Sequence, residues 1–240
     1  MVMKLKIKFL AWITGGWEKK SMKLWVQLCK ESKVILDIGA NNGVYALTGW
    51  SINPAAEVYA FEPLQRIFLK LQKNCDLNHF DIHCIQKALS DKEGEQIIYE
   101  NDNPHINAST LNRTTAVNYG QGLLGKETII NTTTLDKFIG SEILQRVDLV
   151  KIDVETHESQ VIDGFKNFLP KFKPAFIIEI LVDEVGRKIQ EVFDPLGYLY
   201  FNIDDNNDSV RLTEMLRKSN YFNYLICTKE TAKKLGLIEG

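Results

Sequence analysis

The chain has 240 residues, 45% of them hydrophobic and 25% charged, the balance of a globular protein with one sizeable core and too little length for two ordinary domains plus linkers. Its 29 Lys and Arg against 31 Asp and Glu leave a formal net charge of −2, so the body has no bulk attraction for polyphosphates and a general nucleic-acid binder is disfavoured. Cys29, Cys75, Cys84 and Cys227 are scattered without C-x-x-C spacing, which argues against zinc and against a disulfide framework and suits reduced, mostly buried thiols in a cytoplasmic compartment.

The first apolar run, Phe9 to Ile13, follows Lys4, Lys6 and Lys8 and is cut short by Gly15-Gly16. It is far too short to span a bilayer, and no small-residue cleavage site follows it. Residues 1–32 are therefore expected to form an N-terminal helical segment that covers or flanks a cleft, its lysines offering a peripheral contact with a membrane surface or partner. Within it, residues 18–31 place Met22, Trp25, Val26 and Cys29 on one helical face.

Residues 33–240 read as a single domain. Strand 33–39, helix 43–52, strand 57–62, helix 64–77 and strand 82–86 alternate in the manner of βαβ units. Two β-type runs, Gln96–Glu100 and Glu127–Thr133, then flank a polar Asn- and Gly-rich segment, Asn101–Gly125, which reads as a β-hairpin or lid-like loop inserted after the third strand. Helix 135–144, strand 147–154, helix 159–168, strand 175–181 and helix 184–196 follow, the last of these strands apolar on both faces and so central. Tyr198–Asn202 and Tyr221–Thr228 lie around Asp204–Asp208 and read as a tight antiparallel pair. The expected fold class is α/β, a Rossmann-like doubly wound sheet of five parallel strands plus a C-terminal antiparallel pair.

The segment Asp37-Ile-Gly-Ala-Asn-Asn-Gly43 closes the first strand and opens a helix. Gly39 permits a tight turn at positive φ, and Gly43 lets the helix approach the sheet. With Ala40 and Asn41 between them, this loop faces a ligand at the carboxyl edge of the strands. A dinucleotide needs the middle glycine of G-x-G-x-x-G, where the pyrophosphate meets bare backbone; Asn41 stands there instead. S-adenosylmethionine carries no phosphate, and its amino-acid end can bond Asn41. Glu62, before Pro63, ends the second strand where a carboxylate accepts from both ribose hydroxyls. Because NAD sites share that feature, an NAD(P)-dependent oxidoreductase stays as the rival reading. After the third strand, Ala88 and Leu89 lie where an adenine ring packs, with Ser90 or Asp91 either near its amine or in an ordinary turn.

The run Lys151-Ile-Asp-Val-Glu-Thr-His-Glu158 ends the fourth strand. Strand period puts Lys151, Asp153 and Glu155 on one side, and charges are rare in a buried parallel strand unless paired or functional. At the strand's carboxyl end they project into the cleft, and Asp153 would border the cofactor. Asp153 and His157 are both candidate bases. Glu155 would orient an acceptor hydroxyl, Glu158 suits a helix's first turn, Lys151 can pair with a carboxylate, and Glu179 faces the same rim.

On Val34–Gly43, Val58-Tyr-Ala-Phe-Glu-Pro63, Thr134-Leu-Asp-Lys-Phe138 and Lys151-Ile-Asp-Val-Glu155 with Glu158, over about residues 33–182, the chain resembles the FkbM family of S-adenosylmethionine-dependent methyltransferases. The resemblance implies the class I methyltransferase fold, S-adenosyl-L-methionine as methyl donor, and O-methylation of a hydroxyl on a sugar, glycan or other small molecule. It also places Asn107-Ala-Ser109 near the cleft. Where the family usually has Gly after the second acid of the run, this chain has Thr156. Proton removal would fall to Asp153 or His157, or the same acids would hold a magnesium ion that acidifies the hydroxyl. An RNA methyltransferase is disfavoured by the net charge and by the lack of an Asn/Asp-Pro-Pro-aromatic motif that grips a flipped base.

Overall fold

The computed structural model describes residues 18–101, 109–118 and 125–239. The Lys-rich start of the chain and Asn107-Ala108 lie outside the described residues. The chain opens with helix α1 (Lys19–Cys29), followed by β1 (Val34–Ile38), α2 (Val44–Ile52), β2 (Glu57–Phe61), α3 (Gln65–Asn78) and β3 (His83–Ile85). Next come β4 (Ala88–Leu89), β5 (Gly94–Glu100), β6 (Ser109–Thr110), α4 (Arg113–Asn118), β7 (Lys126–Thr133) and α5 (Leu135–Ser141). The remainder is β8 (Leu149–Ile152), α6 (Glu158–Asp163), α7 (Leu169–Phe172), β9 (Ala175–Glu179), α8 (Asp183–Phe193), β10 (Tyr198–Asp204), β11 (Ser209–Thr213), β12 (Asn223–Thr228) and α9 (Lys229–Lys234).

The main sheet has eight strands in the order β11-β10-β12-β9-β8-β1-β2-β3. Its five strands from β9 to β3 are parallel, and β12 joins β9 in the antiparallel sense. The central strands β1, β8 and β9 are buried on both faces, as expected where helices cover both sides of a parallel sheet. One face packs α5 to α8 through Ile139, Ile162, Leu169 and Ile189. The other packs α1, α2, α3 and α9 through Trp25, Leu47, Leu71 and Ala232. Helix α2 is apolar all round because α1 covers the side turned from the sheet. Trp25 fixes that contact: its Nε1 donates to the Tyr45 carbonyl at 3.0 Å and its ring meets Tyr45 edge-on.

The expected C-terminal pair is present as antiparallel β10 and β12, and the expected hairpin after β3 as antiparallel β5 and β7; three details differ. The C-terminal strands are three, not two: the Asp204–Asp208 turn joins β10 to β11, and β12 then enters between β10 and β9. β11 alternates over only five residues, Ser209–Thr213, and lies at the sheet edge with Val210 alone turned to the core. The helix expected over 159–168 breaks into α6 and α7 at Gly164, where a Cβ would stand 2.2 Å from the Ser90 carbonyl oxygen. The hairpin after β3 is a second sheet, β4-β7-β5-β6, and its β4 is parallel to β7.

Ile98 and Ile130 of the small sheet pack on Leu64 and Ile67 at the start of α3. Beside them Glu100, 2% exposed, accepts from Arg66 Nε (2.8 Å), Lys126 Nζ (2.7 Å) and Thr128 Oγ1 (2.7 Å). These bonds hold its carboxyl below the ordinary range against the cost of burial.

Two predictions test this framework. Gly39 has φ +76°, and a Cβ there would lie 1.9 Å from the Asp153 carbonyl oxygen, whereas Gly197 has φ +74° with open space around it. In urea unfolding, Gly197→Ala is expected to cost about 1 kcal/mol for the left-handed backbone alone, and Gly39→Ala well over ~2 kcal/mol. Glu100→Gln removes the charge that Arg66 and Lys126 share and is expected to cost about 1–3 kcal/mol by the same measurement.

Candidate active site

A cavity of about 380 Å³ opens at the carboxyl ends of the parallel strands. Its position follows from the sheet: β1 and β2 end together, Ile38 opposite Phe61, and Ile38 also pairs with Ile152 of β8. The chain leaves β1 through Gly39, Asn41 and Gly43, all at positive φ (76°, 51° and 91°), a curl pinned to β2 by the Gly39 and Ala40 N–H groups, which both donate to the Phe61 carbonyl. Gly43 sits behind that curl, against Leu71 of α3, where a Cβ would meet the Leu71 methyl at 2.5 Å.

On the β2 side the wall is formed by Gly39, Ala40, Asn41, Glu62, Pro63 and the Ala88-Leu89 strand, all expected from the sequence. Glu62 is 5% exposed and braces the loop: its Oε2 accepts from the Asn41 N–H (3.1 Å) and its Oε1 from the Leu64 N–H (2.9 Å). Burial raises its carboxyl to about 7 despite those bonds. Asp37 lies under the loop, accepting from the Ala46 N–H at 2.8 Å, and burial raises it too to about 7.

On the β8 side the wall holds Lys151, Asp153, Glu155 and Glu179, joined by Tyr45 and Glu18. Lys151 is 1% exposed; its Nζ lies 3.2 Å from Asp153 Oδ2 and 5.1 Å from the Tyr45 ring centroid. Burial works against its charge, yet Asp153 and Glu18 together hold the ammonium above its ordinary value. Glu18 accepts from Tyr45 Oη (2.7 Å) and from Asn223 Nδ2 (2.9 Å). The small sheet closes the same space with Ile98, Ser109 and Thr110.

The turn after β8 has left-handed residues at Glu155 (φ 53°) and Thr156 (φ 77°). That is the conformation glycine adopts without cost, at the position where the related family usually carries one. Glu158, fully buried, supports it: its Oε1 accepts from the Val154 and Thr156 N–H groups, both at 3.2 Å. Desolvation raises Glu158 to about 8. Thr110 Oγ1 donates to the Glu155 carbonyl at 2.6 Å and ties the small sheet to the turn.

His157 and Gly43 are the expected site residues that the fold does not bring to the cavity wall, and of the two His157 lies in a different environment altogether. It is 6% exposed, its Nε2 is 2.9 Å from Ser90 Oγ, and burial lowers it to about 4. The Ser90 hydroxyl that might have met a ligand is occupied by that contact and is fully buried. The sequence reading missed Glu18, Tyr45 and Asn223. Tyr45, two residues past Gly43 on the helix that opens the loop, had a readable position; Glu18 and Asn223 arrive only through packing.

Comparison with known proteins adds to this geometry. The model of the methyltransferase FkbM domain matches residues 37–216, a span containing every cavity-lining residue but Glu18 and Met22. The chain is 28% identical over 152 residues to the hexuronic acid methyltransferase AglP of Haloferax volcanii, covering 63% of this chain and 58% of that protein. It is 28% identical over 151 residues to the 2-O-methyltransferase NoeI of Sinorhizobium fredii, covering 59% of this chain and 61% of that protein. It thus spans about three-fifths of the length of these curated relatives. In fold it is similar to the crystal structure of a methyltransferase FkbM from Methylobacillus flagellatus, with a TM-score of 0.50 at 13% identity over 82% of this chain and 43% of that one. The fold is that of the class I methyltransferases, Rossmann-like, and the chain belongs to the methyltransferase FkbM domain family.

Proposed function

We propose that the protein transfers a methyl group from S-adenosylmethionine to a hydroxyl oxygen of a saccharide. One observation carries this reading: a single cavity joins the wall made by the β1 loop and Glu62 to the ion pair between buried Lys151 and partly exposed Asp153. The names of the two curated relatives, a hexuronic acid methyltransferase and a 2-O-methyltransferase, support the saccharide hydroxyl as acceptor. The four thiols are free, which suits a cytoplasmic reaction, and no described helix is long and apolar enough to cross a membrane.

The residues fit the donor. Gly39 lets the loop come against the Asp153 backbone, so that loop and acid line one cavity, and Asn41 carries a side chain where a pyrophosphate would need bare backbone. Glu62 keeps lone pairs beyond its two amide bonds for ribose hydroxyls, while Ala88 and Leu89 offer an apolar seat for adenine. When bound, S-adenosylmethionine supplies an electrophilic methyl group on a sulfonium. Asp153, 29% exposed at the cavity wall, is placed to accept the hydroxyl proton as the oxygen attacks. Lys151, paired to Asp153 and held charged, steadies that carboxylate and offers N–H donors to the oxygen that loses its proton. Glu155 orients the acceptor from the turn above. Among the described residues no three His, Cys, Asp or Glu side chains converge as a metal cage, and each of these steps uses protein groups alone.

Two outcomes are expected. With Glu62 raised to about 7, its carboxylate form is lost as pH falls through that value, so S-adenosylhomocysteine affinity by calorimetry should weaken from about pH 8 to 6. Glu62→Gln should weaken binding by about tenfold at the upper end and make the pH dependence shallower. Asp153→Asn should lower labelled methyl transfer to a panel of methyl glycosides by about 10²-fold or more while its S-adenosylhomocysteine affinity stays near wild type; undiminished transfer would remove Asp153 as the base.

A further inference from the structure

A row of side chains crosses the carboxyl edge of the sheet beyond the residues assigned above. Ile152 pairs with Ile178 and Glu179 pairs with Asn223. Asp153 therefore stands beside Glu179 at one strand spacing, about 4.8 Å. By the strand's two-residue period both share the face of Lys151, which lies over Tyr45.

These two carboxyls differ in their partners. Asp153 is held by Lys151. Glu179 lines the cavity and is 8% exposed, and among the described residues its carboxyl group makes no hydrogen bond. Its oxygens are not sealed in the core but open on the cavity, so they are available to a molecule that enters it. Burial, then the charge of Asp153, keeps Glu179 protonated well above the ordinary carboxylate range, so it can donate as well as accept.

The charge at this end is lopsided. Glu18, Asp153 and Glu155 line it beside the protonated Glu179, and among the described lining residues the cation there is Lys151, already paired. Lys87 lies at the other end, beside Ala88. A second carboxylate entering here would meet like charge with no unpaired cation to receive it.

We propose that Glu179 determines acceptor choice by hydrogen-bonding the hydroxyl next to the one being methylated, so that the site takes an uncharged sugar diol and turns away a sugar acid. The inference rests on the saccharide reading above and adds to it a selecting residue and the charge of the substrate. Neighbouring hydroxyls on one ring can reach both Asp153 and Glu179 across a single strand spacing.

The test uses the full chain with S-adenosylmethionine and two probes, methyl β-glucopyranoside and methyl β-glucopyranosiduronate. Wild type is expected to favour the neutral glycoside in kcat/KM by about tenfold or more. Glu179→Ala should raise KM for the neutral glycoside about tenfold, with the loss on KM greater than on kcat, and Glu179→Gln, which still donates and accepts, should stay within about threefold of wild type. S-adenosylhomocysteine affinity, read by calorimetry, should be common to all three and shows that each variant is folded. Preference for the glucuronide, an unchanged KM in Glu179→Ala, or no transfer to either sugar by a protein that binds S-adenosylhomocysteine would overturn the proposal. Failure of wild type to bind S-adenosylhomocysteine would instead sink the donor reading beneath it.

Discussion

The Lys151 ammonium lies in the middle of the sheet, 1% exposed, with Asp153 at 3.2 Å and with the charge of Glu18 bearing on it. A charge so placed persists only where opposite charge surrounds it, and the carboxylates in turn tolerate burial because the ammonium is there. Elements far apart in the chain meet at this group. Glu18 before α1, Tyr45 on α2, Asp153 after β8 and Asn223 on β12 are linked by the bonds through Glu18 and by the contacts of Lys151 with Asp153 and Tyr45. The polar end of the cavity is thus part of what holds α1 to the sheet, so chemistry and packing there cannot be altered separately.

Backbone geometry sets the other limit. The ends of β1 and β8 come so close that a Cβ on Gly39 would overlap the Asp153 carbonyl oxygen. That approach puts the loop and the acidic turn on one cavity. The turn itself runs through two left-handed, non-glycine residues, Glu155 and Thr156, a conformation that costs about 1 kcal/mol or more per residue. Glu158 and Thr110 supply the hydrogen bonds that hold it. Thr156 in place of the family glycine is accommodated because its φ is fixed from both sides, by Glu158 on its N–H and by Thr110 on the preceding carbonyl.

His157 shows how similar residue types part company once buried. An imidazole in the same run as Asp153 and Glu155 reads as a candidate base, with an exposed residue at a helix start as the alternative. The strand ends at Ile152, however, and the left-handed turn that follows cancels the alternation. The ring rotates under the small sheet to Ser90, where desolvation keeps it neutral.

Local sequence determined the strand–helix alternation, the glycine loop, Glu62 at the end of β2 and the acids at the end of β8, because each is written in residues close together in the chain and governed by periods of two or 3.6. Tertiary structure alone decided that Glu18 reaches the cavity with Asn223 bonded behind it, that β12 enters between β9 and β10, and that the Glu179 carboxyl opens on the cavity beside Asp153. Those facts arise from strand order and from which helix covers which face, and such long-range placements leave no periodic mark in the sequence: the same carboxylate at the end of a strand is solvated, paired or aimed at a ligand according to what the neighbouring strand brings alongside it.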